Sequence, residues 1–417
     1  MSLKNHKPVY LHWETKNPQR DGMWATVGYA FVGFANVLMP CIIFSSSYLI
    51  VPYPRGSVIL IEAIPAFVVK LILPHLIHRE PHYIRPIFAA IAWSLCGFIS
   101  LTTPPNVEPL VRIIGVLLAA ATASYTDISM LGMMRYYGRH AVTGWGIGTG
   151  LGYVAAALMP YIVTVTLGDF LRSSLSYLFF TVPLLLWGHY YLFTIRGTAK
   201  QDGGRDENDH DDYDRDSLLI VRKSKTTISF KARLEHNLDQ MGRIAKPFMQ
   251  PLYGAAIIQA FFVPGLFRAA AFSDSFSNFF SYFTAYSAVF HLGNLVGRSS
   301  IIFVRVDNRQ LLTRLMGIFG AIALLNGFFA IISTPFLVFG AAALAGVVSG
   351  GTYINAIDGL LETSMNEMPR DCEFLMGAAG VAEAASLLIG GLMMAVLENM
   401  ACEGEVGIAD RWCYDMN

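Results

Sequence analysis

A chain of 417 residues has the length of two or three soluble domains, yet 54% of it is hydrophobic and only 14% charged, with a mean hydropathy of +0.47. An ordinary soluble domain carries about 25% charged residues, so this apolar surface calls for a solvent other than water. Lysine and arginine together number 30, balancing 30 aspartates and glutamates, and they form no basic surface interleaved with aromatics, which argues against a nucleic-acid partner.

The chain opens on a polar segment, 1–23, without an apolar h-region, so no cleaved signal peptide is expected and the segment reads as a tail. A spanning helix needs roughly 20 mostly apolar residues. Runs of that kind lie at 24–51, 57–78, 84–103, 109–134, 141–168 and 171–195, and again at 250–272, 278–303, 311–332, 335–361 and 374–398. A backbone crossing lipid must satisfy its own hydrogen bonds, and these long runs lack the period-two pattern of a barrel. The expected fold class is therefore all-α membrane, a polytopic bundle of about eleven transmembrane helices.

Lysine and arginine are placed asymmetrically. One set of loops carries Lys4, Lys7, Arg79, Arg85, Arg135, Arg139, Arg305, Arg309 and Arg370, and the opposite set only Arg55, Arg112, Arg172 and Arg411. The positive-inside rule puts the N-terminus in the cytosol, and an odd number of spans puts the tail at 399–417 in the lumen. There Cys402 and Cys413 would meet an oxidising compartment and are read as a disulfide. Cys41 and Cys96, inside apolar runs, read as small buried hydrophobes.

Between the sixth and seventh runs lies a polar segment, 196–249, with the charged tract QDGGRDENDHDDYDRD, which cannot bury enough apolar surface to fold. It divides the spans into a first bundle of six at 24–195 and a second of five at 250–398, the layout of a two-lobed carrier with a cytosolic linker. Within it, DRDSLL from Asp214 to Leu218 and Leu219 fits the acidic dileucine pattern that clathrin adaptors read. The stretch 224–250 mixes basic and apolar residues in the manner of an amphipathic helix on the inner leaflet.

Ionisable groups at bilayer depth usually face a cavity or a partner. Glu62 and Lys70 lie eight residues apart on the second span and are not directly paired, so Lys70 needs an acidic partner from another helix, Glu383 or Asp127. His291, Asn294 and Arg298 share one helical face, as do Asn355, Asp358 and Glu362, with Tyr353 nearby. In the fifth span Gly144, Gly148 and Gly152 are spaced four apart, as are Gly146 and Gly150, so two stripes lack side chains and invite close helix packing. Thr149 between them offers a hydroxyl to a ligand. No HExxH, GxSxG or CxxC pattern occurs, so neither an enzyme nor a metal or cofactor is implied.

Several segments resemble battenins, the lysosomal membrane protein of Batten disease and its fungal vacuolar relatives. They are IEAIPAFVVKLILPHLI in span two, GWGIGTGLG in span five, GRSS at 297–300, SGGTYIN at 349–355 and AAGVAEAASLLIGGL near the end. The tail CEGEVGIADRWC is similar to the fungal branch. The resemblance implies an MFS-like carrier of eleven spans in vacuolar or lysosomal membranes. Its members are linked to glycerophosphodiester export, basic amino-acid transport and vacuolar pH balance. It strengthens Glu62, Lys70, Thr149, Arg298, Tyr353, Asn355 and Glu383 as pathway residues. The family's span-four acid stands here as Asp127, while Gln259 and Ala345 replace two other family acids. Two other readings of the same layout are an equilibrative-nucleoside-type carrier and a non-transporting scaffold for trafficking or pH regulation.

Overall fold

A computed structural model of the chain describes residues 18–45, 55–77, 84–102, 109–167, 188, 230–262, 279–306, 308–329, 331–332 and 334–403. Among these residues the structure is helical, with no strand. The first half contributes α1 (Pro18–Ser45), α2 (Arg55–Ile72), α3 (Arg85–Thr102), α4 (Pro109–Tyr137) and α5 (Arg139–Leu167). After the polar segment come α6 (Phe230–Gln240), α7 (Lys246–Phe262), α8 (Phe279–Ser299), α9 (Arg309–Phe329), α10 (Pro335–Glu367) and α11 (Cys372–Glu403). Of the predicted spans, that at 171–195 lies outside the described residues except for Gly188, which is buried beside Val32 and Gly28 of α1.

Local chemistry sets several boundaries. Pro109 and Pro335 open α4 and α10, where a missing N–H costs nothing because the first turn has no intrahelical acceptor for it. Gly138 alone separates α4 from α5; its φ of 59° reverses the chain, and its N–H reaches the Met134 carbonyl at 2.8 Å. The end of the polar segment is ordered: α6 runs through a π-helical turn at Met241–Ala245 into α7, so one helix extends from 230 to 262 and the second bundle has no break at 250. At the other end α11 continues to Glu403, past the expected end at 398.

By length and apolar composition, four segments among the described residues are long enough to cross a membrane, 113–137, 139–158, 335–367 and 372–394. Shorter apolar helical segments lie at 22–38, 87–96 and 310–326. Large apolar side chains such as Ile64, Ile91, Val296, Leu344 and Val396 are exposed on the outside of the bundle, as a lipid-facing surface requires.

Glycine brings the most intimate helix pairs together. α1 lies on α5, where a Cβ at Gly144 or Gly148 would collide with the carbonyl oxygens of Thr26 or Ala30. α8 lies on α10 in the same way: a Cβ at Gly293 or Gly297 would strike the carbonyls of Ala343 or Val347, and one at Gly346 or Gly350 those of Phe290 or Asn294. The second stripe of α5, Gly146 and Gly150, faces α8 at Arg298, Leu295 and the nearby Ile354. α2 and α4 pack against α11, and α5 packs against α8, with lesser contacts of α10 to α5 and α4, so the halves meet along two seams, one at α11 and one at α8.

Candidate functional site

Lys70 leaves α2 from the face that turns inward, and its side chain lies along Gly380 of α11, where no side chain blocks it. The residue is 5% exposed. An ammonium so deprived of water needs counter-ions, and Lys70 has two: Nζ lies 2.8 Å from Glu383 Oε2 on α11 and 3.0 Å from Asp127 Oδ2 on α4. Both nominated partners are thus engaged at once. The carboxylates are about one-fifth exposed, more open than the amine between them. Asn36 of α1 completes the group, donating from Nδ2 to Asp127 Oδ1 at 2.7 Å. One cation therefore stands between two acids, an arrangement that can take up one proton or one positively charged group without a new ion pair being built.

A second cluster forms around Arg298 on α8, which is 3% exposed. Its Nε donates to Asn294 Oδ1 and its Nη1 to Thr149 Oγ1 of α5, both at 2.7 Å. The guanidinium lies over the Tyr353 ring of α10 at 4.0 Å and over the Tyr153 ring at 5.2 Å, distances at which a cation is held by ring faces. Trp145 Nε1 donates to the Tyr353 hydroxyl at 3.1 Å. Asn294 and Ser349 are linked at 3.5 Å, and Ser349 donates to the Ala255 carbonyl of α7 at 3.1 Å. His291 stacks on Tyr153 with centroids 5.1 Å apart and planes 4° from parallel. Its Nδ1 is buried and has no hydrogen-bond partner among the described residues.

The two clusters adjoin, with Tyr353, over which Arg298 lies, within electrostatic range of Glu383 and Asp127, and together they make up the candidate site. Lys70, Asp127, Thr149, Asn294, Arg298, Tyr353 and Glu383 are all brought into it, and His291 adjoins it. Asn355 is elsewhere: its Oδ1 accepts from the Val306 N–H at 2.9 Å, and Arg305 pairs with Asp358 and Glu362 on the same helix, so this face of α10 anchors the chain leaving α8. Glu62 lies within electrostatic range of Lys70 but makes no ion pair to a described residue. The stripe of Gly144, Gly148 and Gly152 is the surface on which α1 lies. Cys413, Asp214, Leu218 and Leu219 fall outside the described residues, as does the Cys402 side chain.

Asn36, Trp145, Tyr153 and Ser349 were not singled out from the sequence. Trp145 and Tyr153 flank Thr149 at four residues on either side, and so share its helical face. Asn36 is a lone amide in the apolar run GFANVLM, a weaker signal.

The sequence model of the family described as CLN3 protein matches residues 27–404. Among similar proteins, "Protein btn-1" of Neurospora crassa is 25% identical over 93% of this chain and 90% of its own. "Protein BTN1" of Yarrowia lipolytica is 26% identical, covering 91% of this chain and 94% of its own. "Protein BTN1" of Saccharomyces cerevisiae is 23% identical over 91% and 96% respectively.

Proposed function

The chain belongs to the CLN3 (battenin) family of membrane proteins, and from that premise we propose that it is a carrier of small polar metabolites in the vacuolar or lysosomal membrane. The observation that carries this reading is a buried charged site built from both halves of the chain. Lys70 and Asp127 come from the first half and Glu383 from the second, while Arg298 of the second half bonds Thr149 of the first. Burying charges between two bundles is costly even when they are paired, so ionisable groups at this depth are functional candidates by default, and each bundle movement would re-pair them.

The arrangement of helices supports two lobes. Exchanging the halves turns the contact of α2 with α11 into that of α8 with α5, and both contacts are present. This is the relation expected of six spans followed by five, with the segment at 171–195 as the sixth, rocking about a central site. In this reading 1–23 and 196–249 are cytosolic, 399–417 is lumenal with Cys402 bonded to Cys413, and DRDSLL recruits clathrin adaptors.

The site suits a substrate with an anionic group for Arg298, oriented by Asn294 and Thr149 and stacked against Tyr153. A cationic group or a proton would exchange with Lys70 at Asp127 and Glu383. Basic amino acids and glycerophosphodiesters are the substrate classes, and proton coupling at the triad would link flux to vacuolar pH.

The test compares metabolites in vacuoles purified with the wild-type protein, with Lys70→Ala and without the protein. Lys70→Ala, sorted and present at normal abundance, is expected to match the vacuoles lacking the protein. A wild-type profile from that variant would remove the triad from the mechanism. Competition of uptake by nucleosides would favour the nucleoside-type carrier instead.

A further inference from the structure

A second buried ion pair joins the halves away from the central site. Arg85, the first residue of α3, is 1% exposed, and its Nη1 lies 2.6 Å from Glu373 Oε1 at the start of α11. Its Nη2 donates to the Ile77 carbonyl at 2.8 Å, fixing the guanidinium to the chain that leaves α2. Glu373 reaches Arg85 across α4 at Gly132, where a Cβ would lie 2.7 Å from Glu373 Cγ. Arg135 of α4 adds a second positive charge within range of Glu373. An arginine from one half, a carboxylate from the other and a glycine leaving room for the carboxylate make a fitted contact rather than an incidental one.

The other seam between the halves has its own counterpart. Arg139 at the start of α5 donates from Nη2 to the Ile301 carbonyl, just beyond α8, at 3.1 Å. On α11 the contact residue Glu373 precedes the site residue Glu383 by ten positions, and on α5 Arg139 precedes Thr149 by ten. Ten residues are about 15 Å of helix, so each seam is closed at the same height, on the side read above as cytosolic.

We propose that Arg85 and Glu373, with Arg139 on the Ile301 carbonyl, form the gate that closes the cytosolic end between the two halves. The proposal rests on the carrier reading, since a gate needs a path to close. α11 holds Glu373 in the gate and Glu383 in the site, so a change in the pairing of Lys70 is transmitted along one helix to the pair that must break for cytosolic opening.

Cys372, fully buried beside Glu373, reports the state of the gate, and Cys96, equally buried in α3 with its thiol on the Gly115 carbonyl at 3.4 Å, reports general loosening. The experiment reconstitutes the full-length protein in nanodiscs without substrate and follows N-ethylmaleimide alkylation of both cysteines by mass spectrometry. Glu373→Gln, which keeps shape and removes charge, is expected to speed alkylation of Cys372 about tenfold or more while Cys96 is unchanged. Gly132→Ala, which displaces the carboxylate without removing it, is expected to act in the same direction. Equal Cys372 rates in wild type and both variants would overturn the gate, and so would a parallel rise at Cys96. A flat response in a protein that transports sinks the gate alone, whereas absent flux from a protein whose Cys372 responds sinks the carrier reading and reduces the Arg85–Glu373 pair to a structural contact between the halves.

Discussion

Truncating Lys70 leaves Asp127 and Glu383 facing each other without a counter-ion. Breaking a fully buried pair costs about 3–5 kcal/mol, and the partial exposure of both carboxylates lowers that cost. Lys70→Ala is therefore expected to fold and to lose flux, measured in vesicles at matched abundance. Asn36→Ala removes a hydrogen bond to a charged carboxylate, an effect of about 1.5–3 kcal/mol on its placement, and is expected to lower flux with less loss than Lys70→Ala. Arg298→Lys keeps the charge but cannot reach Asn294 and Thr149 together while lying flat on Tyr353. Its affinity for an anionic substrate, read from the concentration dependence of uptake, is expected to fall roughly tenfold, about 1.4 kcal/mol. At this scale the charged members of the site were legible, because a lysine or a carboxylate in an apolar run demands an explanation. Asn36 and Ser349 were not, since a single amide or hydroxyl fits equally well as a bond to its own helix, which Thr122 and Thr126 make here. The separation of Asn355 from the site was also hidden: its helical face was readable, but the Val306 N–H that occupies it comes from a non-helical connection without periodicity.

Helices meet here through glycine, and that rule has a simple consequence. Gly148→Leu forces α5 off the Ala30 carbonyl of α1 and is expected to cut the yield of folded protein in detergent size-exclusion chromatography, an overpacking effect of about 1–3 kcal/mol or more. Gly317→Ala on α9, where an added Cβ meets nothing within 4 Å, is the control and is expected to behave as wild type. The stripe of Gly144, Gly148 and Gly152 was readable from its period, although the identity of the facing helix was not, because contact order is invisible in one sequence. The extent of α6 was less legible: charge and apolar residues alternate there, and a helix needs docking to persist. That docking is visible in two contacts. Asn237 donates to His75 Nδ1 at 3.0 Å, beyond the end of α2, and His236 lies 3.5 Å from Asp371 between α10 and α11. Hydrogen exchange in α6 is expected to quicken in His75→Ala, which removes the acceptor for Asn237.

For the whole molecule, composition and hydropathy were enough for an all-helical membrane protein, and the helices follow most of the apolar runs. Of the seams between the halves, the sequence pointed only to Lys70 of α2 pairing with Glu383 of α11; the rest was beyond it, because it depends on which faces of α2, α4, α5, α8 and α11 meet. Each seam carries one polar contact at the central site and another three turns further along, Glu383 then Glu373 on α11 and Thr149 then Arg139 on α5. That repetition is the structural basis for reading two lobes that rock about one site, and a carrier of this kind must move solute when nothing else is present. The direct measurement is uptake of basic amino acids and glycerophosphodiesters by proteoliposomes containing only the purified protein. The account predicts saturable uptake by the wild type and none by Lys70→Ala reconstituted in the same amount. No saturable uptake by the wild type, or equal uptake by the variant, would contradict it.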